Sequence, residues 1–238
     1  MKMPQTMERP LATVDVAIFA IVDNALQVLL VRRPDCAGEP FPGCWALPGG
    51  YIDVHKDASL EACAMRKLRE KTGVRSPYLE QLGSWGSAKR DPRGYTITCV
   101  YFALLNAELV TLDHSGKVEA PTWQPVDGDG VRERLAFDHA TLLAAALQRL
   151  RNKVEYTSLP AFLLPESFTL SDLQSAYETV LHRAVDKSAF RTRMLAADFI
   201  EPTGEQRASV TRPALLYRLK VRTPVLFPRT FSPRGETG

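Results

Sequence analysis

Leu47-Pro48-Gly49-Gly50-Tyr51-Ile52-Asp53, followed after a short loop by Ser59–Val74 (SLEACAMRKLREKTGV), reads as a glycine turn that delivers the chain into a helix. Ser59 is a good N-cap, because its hydroxyl can accept one of the free N–H groups of the first turn. Leu60, Ala64 and Leu68 recur at four-residue spacing and share one face. Gly73 stands just past the end, where a left-handed C-cap is wanted. A helix over 59–71 is therefore predicted, directly downstream of a glycine-rich loop.

Upstream, Val14, Val16, Ile18 and Ala20 alternate, and Leu26–Val31 is an apolar run after the turn pair Asp23-Asn24. Two strands are predicted over 11–34, then a Pro- and Gly-rich loop over 35–50. Downstream, Gln81–Gly86, Tyr95–Leu105 and Thr122–Val126 read as strands, and Leu135–Leu150 as a second long amphipathic helix. The first 150 or so residues thus mix strands and helices, an α+β or α/β body. Tyr156–Pro165, with two prolines among apolar residues, reads as a packed linker.

Beyond the linker the pattern changes. Phe168–Leu181 predicts a helix with Thr169 as N-cap and Asp172 three residues on, close to a capping box. Asp186 caps a second helix that runs to about Ala197, with Phe190 and Met194 facing inward. After Phe199-Ile200 a loop from Glu201 to Pro213 carries Arg207 and Arg212, and Ala214–Leu219 returns as a strand. Helix, turn, helix and a basic-tipped hairpin is the winged-helix plan, whose second helix enters the major groove. Pro224–Gly238, with three prolines and two glycines, is expected to be a mobile tail.

The charge distribution agrees with that division. The 238 residues carry a formal charge of +3, yet from Arg183 onward eleven Lys and Arg face five Asp and Glu. A basic end on a slightly acidic body points to a polyanion for that end. No apolar run reaches the eighteen or so residues of a membrane span, and MKMPQTMERP lacks the apolar core of a signal peptide. Cys36, Cys44, Cys63 and Cys99 form no C-x-x-C pair and the histidines are scattered. Reduced thiols in a cytoplasmic protein are expected, with no zinc site and no membrane partner.

The Gly50–Val74 segment resembles the Nudix box, G-x5-E-x7-R-E-U-x-E-E-x-G-U with U aliphatic. Leu29-Leu30-Val31-Arg32-Arg33 and Gly43-Cys44-Trp45-Ala46 resemble the strand and loop that precede it. In that family the loop-helix binds a diphosphate: glycines admit the phosphates to the backbone, and the helix start offers free N–H groups. Glutamates on one helix face hold magnesium, which activates a water. Aligned from the helix end, Arg66, Leu68, Gly73 and Val74 fill their box positions. Glu70 keeps one glutamate, but Lys67 and Lys71 stand where two others belong. The earlier glutamate falls on Ala58, and the loop is two residues too long.

Positions 67, 70 and 71 share a helix face. Two ammonium groups and one carboxylate would repel a divalent cation that demands oxygen ligands. The expectation is a pocket without catalytic or metal-binding residues that still binds a diphosphate.

Taken over residues 10–220, the chain resembles the NrtR family of Nudix-related transcriptional regulators. The altered box, Leu135-Ala136-Phe137-Asp138-His139, Phe168-Thr169-Leu170, Phe190-Arg191 and Arg212-Pro213-Ala214-Leu215-Leu216-Tyr217 carry the resemblance. It implies an α+β chain: a Nudix α/β/α sandwich over 10–152, a linker over 153–166, a winged helix-turn-helix over 167–222 and a tail over 223–238. It further implies a homodimer on a palindromic double-stranded operator, repressing genes of NAD synthesis or salvage and released by ADP-ribose or a related nucleotide. No cofactor is expected beyond that effector. The expected ligand contacts are Arg33, Gly49, Gly50, Arg66, Lys67, Glu70, Lys71, Arg93 and His139, with Trp45 and Tyr51 as possible stacking rings. The expected DNA contacts are Lys187, Arg191, Arg193, Arg207 and Arg212. The competing readings are a working ADP-ribose pyrophosphatase dimerised by its C-terminal domain, and a DNA-binding protein whose Nudix domain is a ligand-free scaffold.

Overall fold

In the computed structural model, which describes residues 9–75, 78–112, 119–208 and 213–227, the chain forms two sheets joined through one apolar core. β1 (Leu11–Val22) is the spine of the larger sheet. It lies parallel to β6 (Thr96–Leu104) and antiparallel to β2 (Ala25–Arg32), with Asp23 and Asn24 both at positive φ in the connecting turn. β3 (Trp45–Ala46) and β7 (Glu119–Pro125) pair with β2, β4 (Gly49–Tyr51) with β1, and β5 (Tyr78–Ser87) with β6.

Period-two alternation splits the strands between two faces. Val14, Val16 and Ile18 join Tyr101 and Ala103 on one face, under α1 (Leu60–Thr72), which contributes Cys63, Ala64 and Leu68. Ala17 and Phe19 join Val100, Phe102 and Leu104 on the other, under α2 (His139–Val154), which contributes Leu142, Leu143, Ala146 and Leu147. Helices on both faces make the sandwich. Ser59 Oγ accepts the Ala62 N–H, and Gly73 at φ 71° ends α1. Leu60, grouped by spacing with the buried face, is in fact exposed.

α2 starts four residues later than the periodicity of Leu135–Leu150 indicates. Phe137 sits at φ 56°, which no helix tolerates, and Ala136 N–H bonds to Trp45 O at 2.8 Å, holding this segment against β3. The second-face core then continues through the linker: Leu159, Ala161 and Leu163 are buried and meet Leu173 and Tyr177.

The C-terminal unit comprises β8 (Phe168–Thr169), α3 (Leu170–Leu181), α4 (Lys187–Ala196), β9 (Ile200–Arg207) and β10 (Ala214–Leu219), the strands in the order β8-β10-β9. Thr169 and Asp172 form a full capping box, and Asp186 caps α4 through the Ala189 N–H. Two expectations are corrected here. Glu201–Arg207 is strand β9, not loop: its side chains are mostly polar and exposed, so no alternation betrayed it. The expected mobile tail is docked from Pro224 to Phe227, and its remaining residues, 228–238, lie outside the described residues. Phe227 is buried, its N–H bonds to Tyr156 O at 2.8 Å, and Val225 exchanges hydrogen bonds with Ser158. Among the described residues no helix is long and apolar enough to cross a membrane.

Candidate functional site

The glycine loop, α1 and the start of α2 enclose a cavity of about 310 Å³. Its floor is Asp15 of β1 and His139, the first residue of α2. His139 Nδ1 accepts the Leu47 N–H at 3.0 Å, so the ring's own proton sits on Nε2, which lies 3.8 Å from Asp15 Oδ2. Burial holds the imidazole below its ordinary pKa and hence neutral. Asp15 also accepts from Thr98 Oγ1 at 2.8 Å, with Arg90 Nη2 3.6 Å away.

The loop itself must be glycine. A Cβ on Gly49 would lie 2.0 Å from Asp15 Oδ1 and 2.6 Å from Val14 O, and Gly50 takes φ 141° with its Cβ position 3.0 Å from Lys67 Nζ. The Lys67 ammonium therefore rests directly on the loop that would cradle phosphate. Lys67, Glu70 and Lys71 all face the cavity, and neither lysine forms an ion pair among the described residues.

Opposite them, Phe137 organises the rim. The Arg33 guanidinium lies 4.8 Å from its ring centre and that of Arg93 at 6.0 Å, while Phe41 packs at 4.8 Å. Arg33 is also held by Pro40 O and Glu39, and Arg93 by a two-pronged pair with Asp91, at 3.0 and 2.7 Å. The Asp91 carboxyl is pulled below the ordinary carboxylate range by that pair, against the cost of burial. Tyr51 lines the rim beneath Arg93. Trp45 does not line the cavity; it packs against the core.

Among the expected ligand residues, Arg33, Gly49, Gly50, Lys67, Glu70, Lys71, Arg93 and His139 line one cavity. Arg66 does not, which corrects its place on that list. Its guanidinium grips Asp57 with two bonds of 2.7 and 2.6 Å and Glu70 with one of 3.0 Å, so it stands behind Glu70 and outside the cavity lining. The acid that serves Arg66 is thus Asp57, one residue before the box register on Ala58, because the longer loop bulges. That pair holds the Asp57 carboxyl well below its usual range.

Three residues that line the cavity are absent from the expected ligand contacts: Asp15, Arg90 and Phe137. Asp15 is an acid inside an apolar strand, and that oddity was the available signal. Arg90 is buried and bridges to Asp138 with bonds of 3.0 and 2.8 Å, so Asp138 makes no side-chain cap on α2. Phe137 stands in the sequence only as part of the Leu135–His139 run that carries the family resemblance, with nothing in its residue type to mark a place on the rim.

A divalent cation does not fit this wall. Its donor set is one carboxylate, Glu70, engaged by Arg66 and flanked by two ammoniums, and no group of three or more His, Cys, Asp and Glu gathers among the described residues. The wall suits an anion instead.

In the C-terminal unit, Phe190 and Met194 of α4 are buried, Phe190 edge-on to Tyr177 at 5.2 Å. Lys187 and Arg191 project to solvent without ion pairs among the described residues. Arg193 is corrected: it donates to Glu155 O at 3.1 Å and lies 5.4 Å from the Phe227 ring, so it faces the linker. Arg207 is half exposed at the base of the wing and pairs with Asp172 at 2.8 Å. Arg212 falls outside the described residues.

Comparison with known proteins places this geometry. Residues 12–146 match the NUDIX domain, and residues 160–219 match the NrtR DNA-binding winged helix domain. The chain is 46% identical to the ADPR responsive transcriptional repressor NtrR of Acinetobacter baylyi, over 90% of this chain and 83% of that protein. It superposes on Shewanella oneidensis NrtR complexed with a 27mer DNA with a TM-score of 0.79 and 41% identity, covering 88% of this chain and 93% of that one. The NUDIX domain of the Shewanella protein, complexed with ADP ribose, aligns with a TM-score of 0.54 and 41% identity over 63% of this chain and 94% of that chain. A Nudix sandwich with lysines on its box helix, joined through a packed linker to a winged helix, makes this chain a member of the NrtR family.

Proposed function

We propose that this chain is a DNA-binding transcriptional repressor of genes for NAD synthesis or salvage, released from a palindromic operator when ADP-ribose enters a Nudix pocket that no longer cuts it. Residues 10–152 do the sensing and 167–222 the DNA binding, in a cytoplasmic homodimer. The observation that carries this reading is the α1 wall of the pocket, where Lys67 and Lys71 flank Glu70. The two ammoniums offer a diphosphate charge without generating a nucleophilic water. Gly49 and Gly50 let it approach, and Arg33 and Arg93 await it across the cavity. The DNA and ADP ribose complexes of the Shewanella protein support both halves of the reading.

Communication runs along α2. His139 at its start touches the glycine loop, and Glu155, its C-cap, receives Arg193 of α4 and pairs with Arg183. A helix of 16 residues is a rod, about 24 Å long at 1.5 Å per residue. Ligand that reseats His139 displaces the far end, and with it the spacing of the two α4 helices, which must be about 34–36 Å for adjacent half-sites. A complete switch requires a preference on the order of 10⁴-fold between the two dimer arrangements.

A gel shift with DNA from the gene's own neighbourhood, with and without ADP-ribose, tests this when the same mixture is assayed for AMP. Specific binding relieved by intact ADP-ribose is expected. Release of AMP without any specific shift would replace this reading with that of a hydrolase dimerised by its C-terminal unit.

A further inference from the structure

The outward face of α4 carries more than its cations. Phe190 and Met194 mark the buried side. At about 100° per residue, Thr192 stands opposite them, Ser188 about 40° and Leu195 about 60° to one side, and Arg191 about 100° round on that same side. Ser188, Arg191, Thr192 and Leu195 are all exposed, Leu195 by 43%. No acid lies within α4, and the first two acids after it are paired: Asp198 with Lys220 and Glu201 with Arg218. The ridge of the helix is therefore uncharged, with cations on one flank and Arg193 turned away on the other.

A helix lying in the major groove presents its ridge to base edges and its flanks to the two backbones. Resting on the DNA-binding reading above, we propose that Ser188, Thr192 and Leu195 read the bases, while Lys187 and Arg191 hold the phosphates of one strand. From Ser188 to Leu195 the ridge rises about 10 Å, which spans about three base-pair steps of 3.4 Å. The hydroxyls of Ser188 and Thr192 bond to base edges. The Leu195 side chain, exposed without apolar company on α4, packs on the 5-methyl of a thymine. Each half-site thus contains a thymine that Leu195 selects, and specificity survives the loss of a flanking cation.

The test uses the full-length protein and a pool of random-sequence duplexes, from which bound DNA is selected and a consensus read. Each consensus thymine is then replaced by uracil, which lacks only the methyl. At one thymine per half-site the wild type is expected to bind uracil roughly fourfold more weakly, the worth of one buried methyl. Leu195→Ala is expected to bind thymine and uracil there alike, and Thr192→Val to change its preferred base at the neighbouring position. Arg191→Ala is expected to weaken binding to every sequence equally. Because Leu195 and Thr192 are exposed, unchanged melting temperatures will show that both variants fold. If Leu195→Ala and Thr192→Val keep the wild-type consensus and the same thymine-to-uracil ratio, the assignment is overturned. If the wild type enriches no sequence at all, the DNA-binding reading falls and this assignment falls with it.

Discussion

The Leu47 main-chain N–H donates to His139 Nδ1 at 3.0 Å, so the glycine loop and the first residue of α2 are joined by one buried hydrogen bond. The bond requires a neutral imidazole, and burial keeps the His139 pKa depressed. The unfolded chain takes up that proton near pH 6.5, whereas the folded chain resists it. The contribution of this group is therefore level above about pH 6.5 and is lost as pH falls from there toward the lower folded value. Melting curves across that window should show a steeper acid decline for the wild type than for His139→Gln. Equal slopes would remove His139 from the account.

Lys67 lies against Gly50 and faces the cavity without a carboxylate partner. Lys67→Ala should weaken ADP-ribose by roughly 10- to 100-fold, as expected for a lost charged hydrogen bond of about 1.5–3 kcal/mol. Titration calorimetry with and without EDTA checks the complementary point. Wild-type binding should ignore the chelator, whereas Lys67→Glu, which sets a second carboxylate beside Glu70, should make binding respond to magnesium.

Lys187 and Arg191 project from α4 without ion pairs among the described residues. As phosphate contacts, each should add about one unit to the slope of log affinity against log salt. Fluorescence anisotropy on a fixed operator across a salt series measures it. A slope unchanged in Lys187→Ala and Arg191→Ala would take both off the DNA.

Arg193 offers the opposite behaviour. Its bond to Glu155 O and its place over Phe227 tie α4 to the end of α2. Arg193→Ala should leave the affinity of ligand-free protein for DNA little changed while blunting the release caused by ADP-ribose. Gel shifts in both states separate these effects, and a collapse of DNA binding without ligand would return Arg193 to the interface.

Phe227 is 4% exposed and packs on Phe199 with ring centres 5.7 Å apart. Phe227→Ala should cost about 3 kcal/mol, at the low end for a buried aromatic because the site is at the edge of the core. That corresponds to roughly 6–12 °C in Tm for a chain of this size. Thermal unfolding that matches the wild type would mean that the segment contributes nothing to stability.

Features set by short-range chemistry are legible in the sequence itself. The caps of Ser59, Thr169 with Asp172, and Asp186 each satisfy N–H groups within three residues of themselves, so residue type at a fixed offset suffices. Phe190 and Met194 are four residues apart and their burial follows from helical period. Lys67, Glu70 and Lys71 share a face for the same reason, and their charges alone argue against a metal. What tertiary structure decided is how each cation is used. Arg90 finds Asp138 forty-eight residues away, and Arg193 finds Glu155 thirty-eight residues away. Arg66 finds Asp57 across a loop whose bulge shifted the register by one. A guanidinium looks the same in a sequence whether it waits for phosphate or is already spent on a carboxylate. The difference lies in long-range pairings that only the closed core creates, and the same closure docks Phe227 where composition alone indicated a free tail.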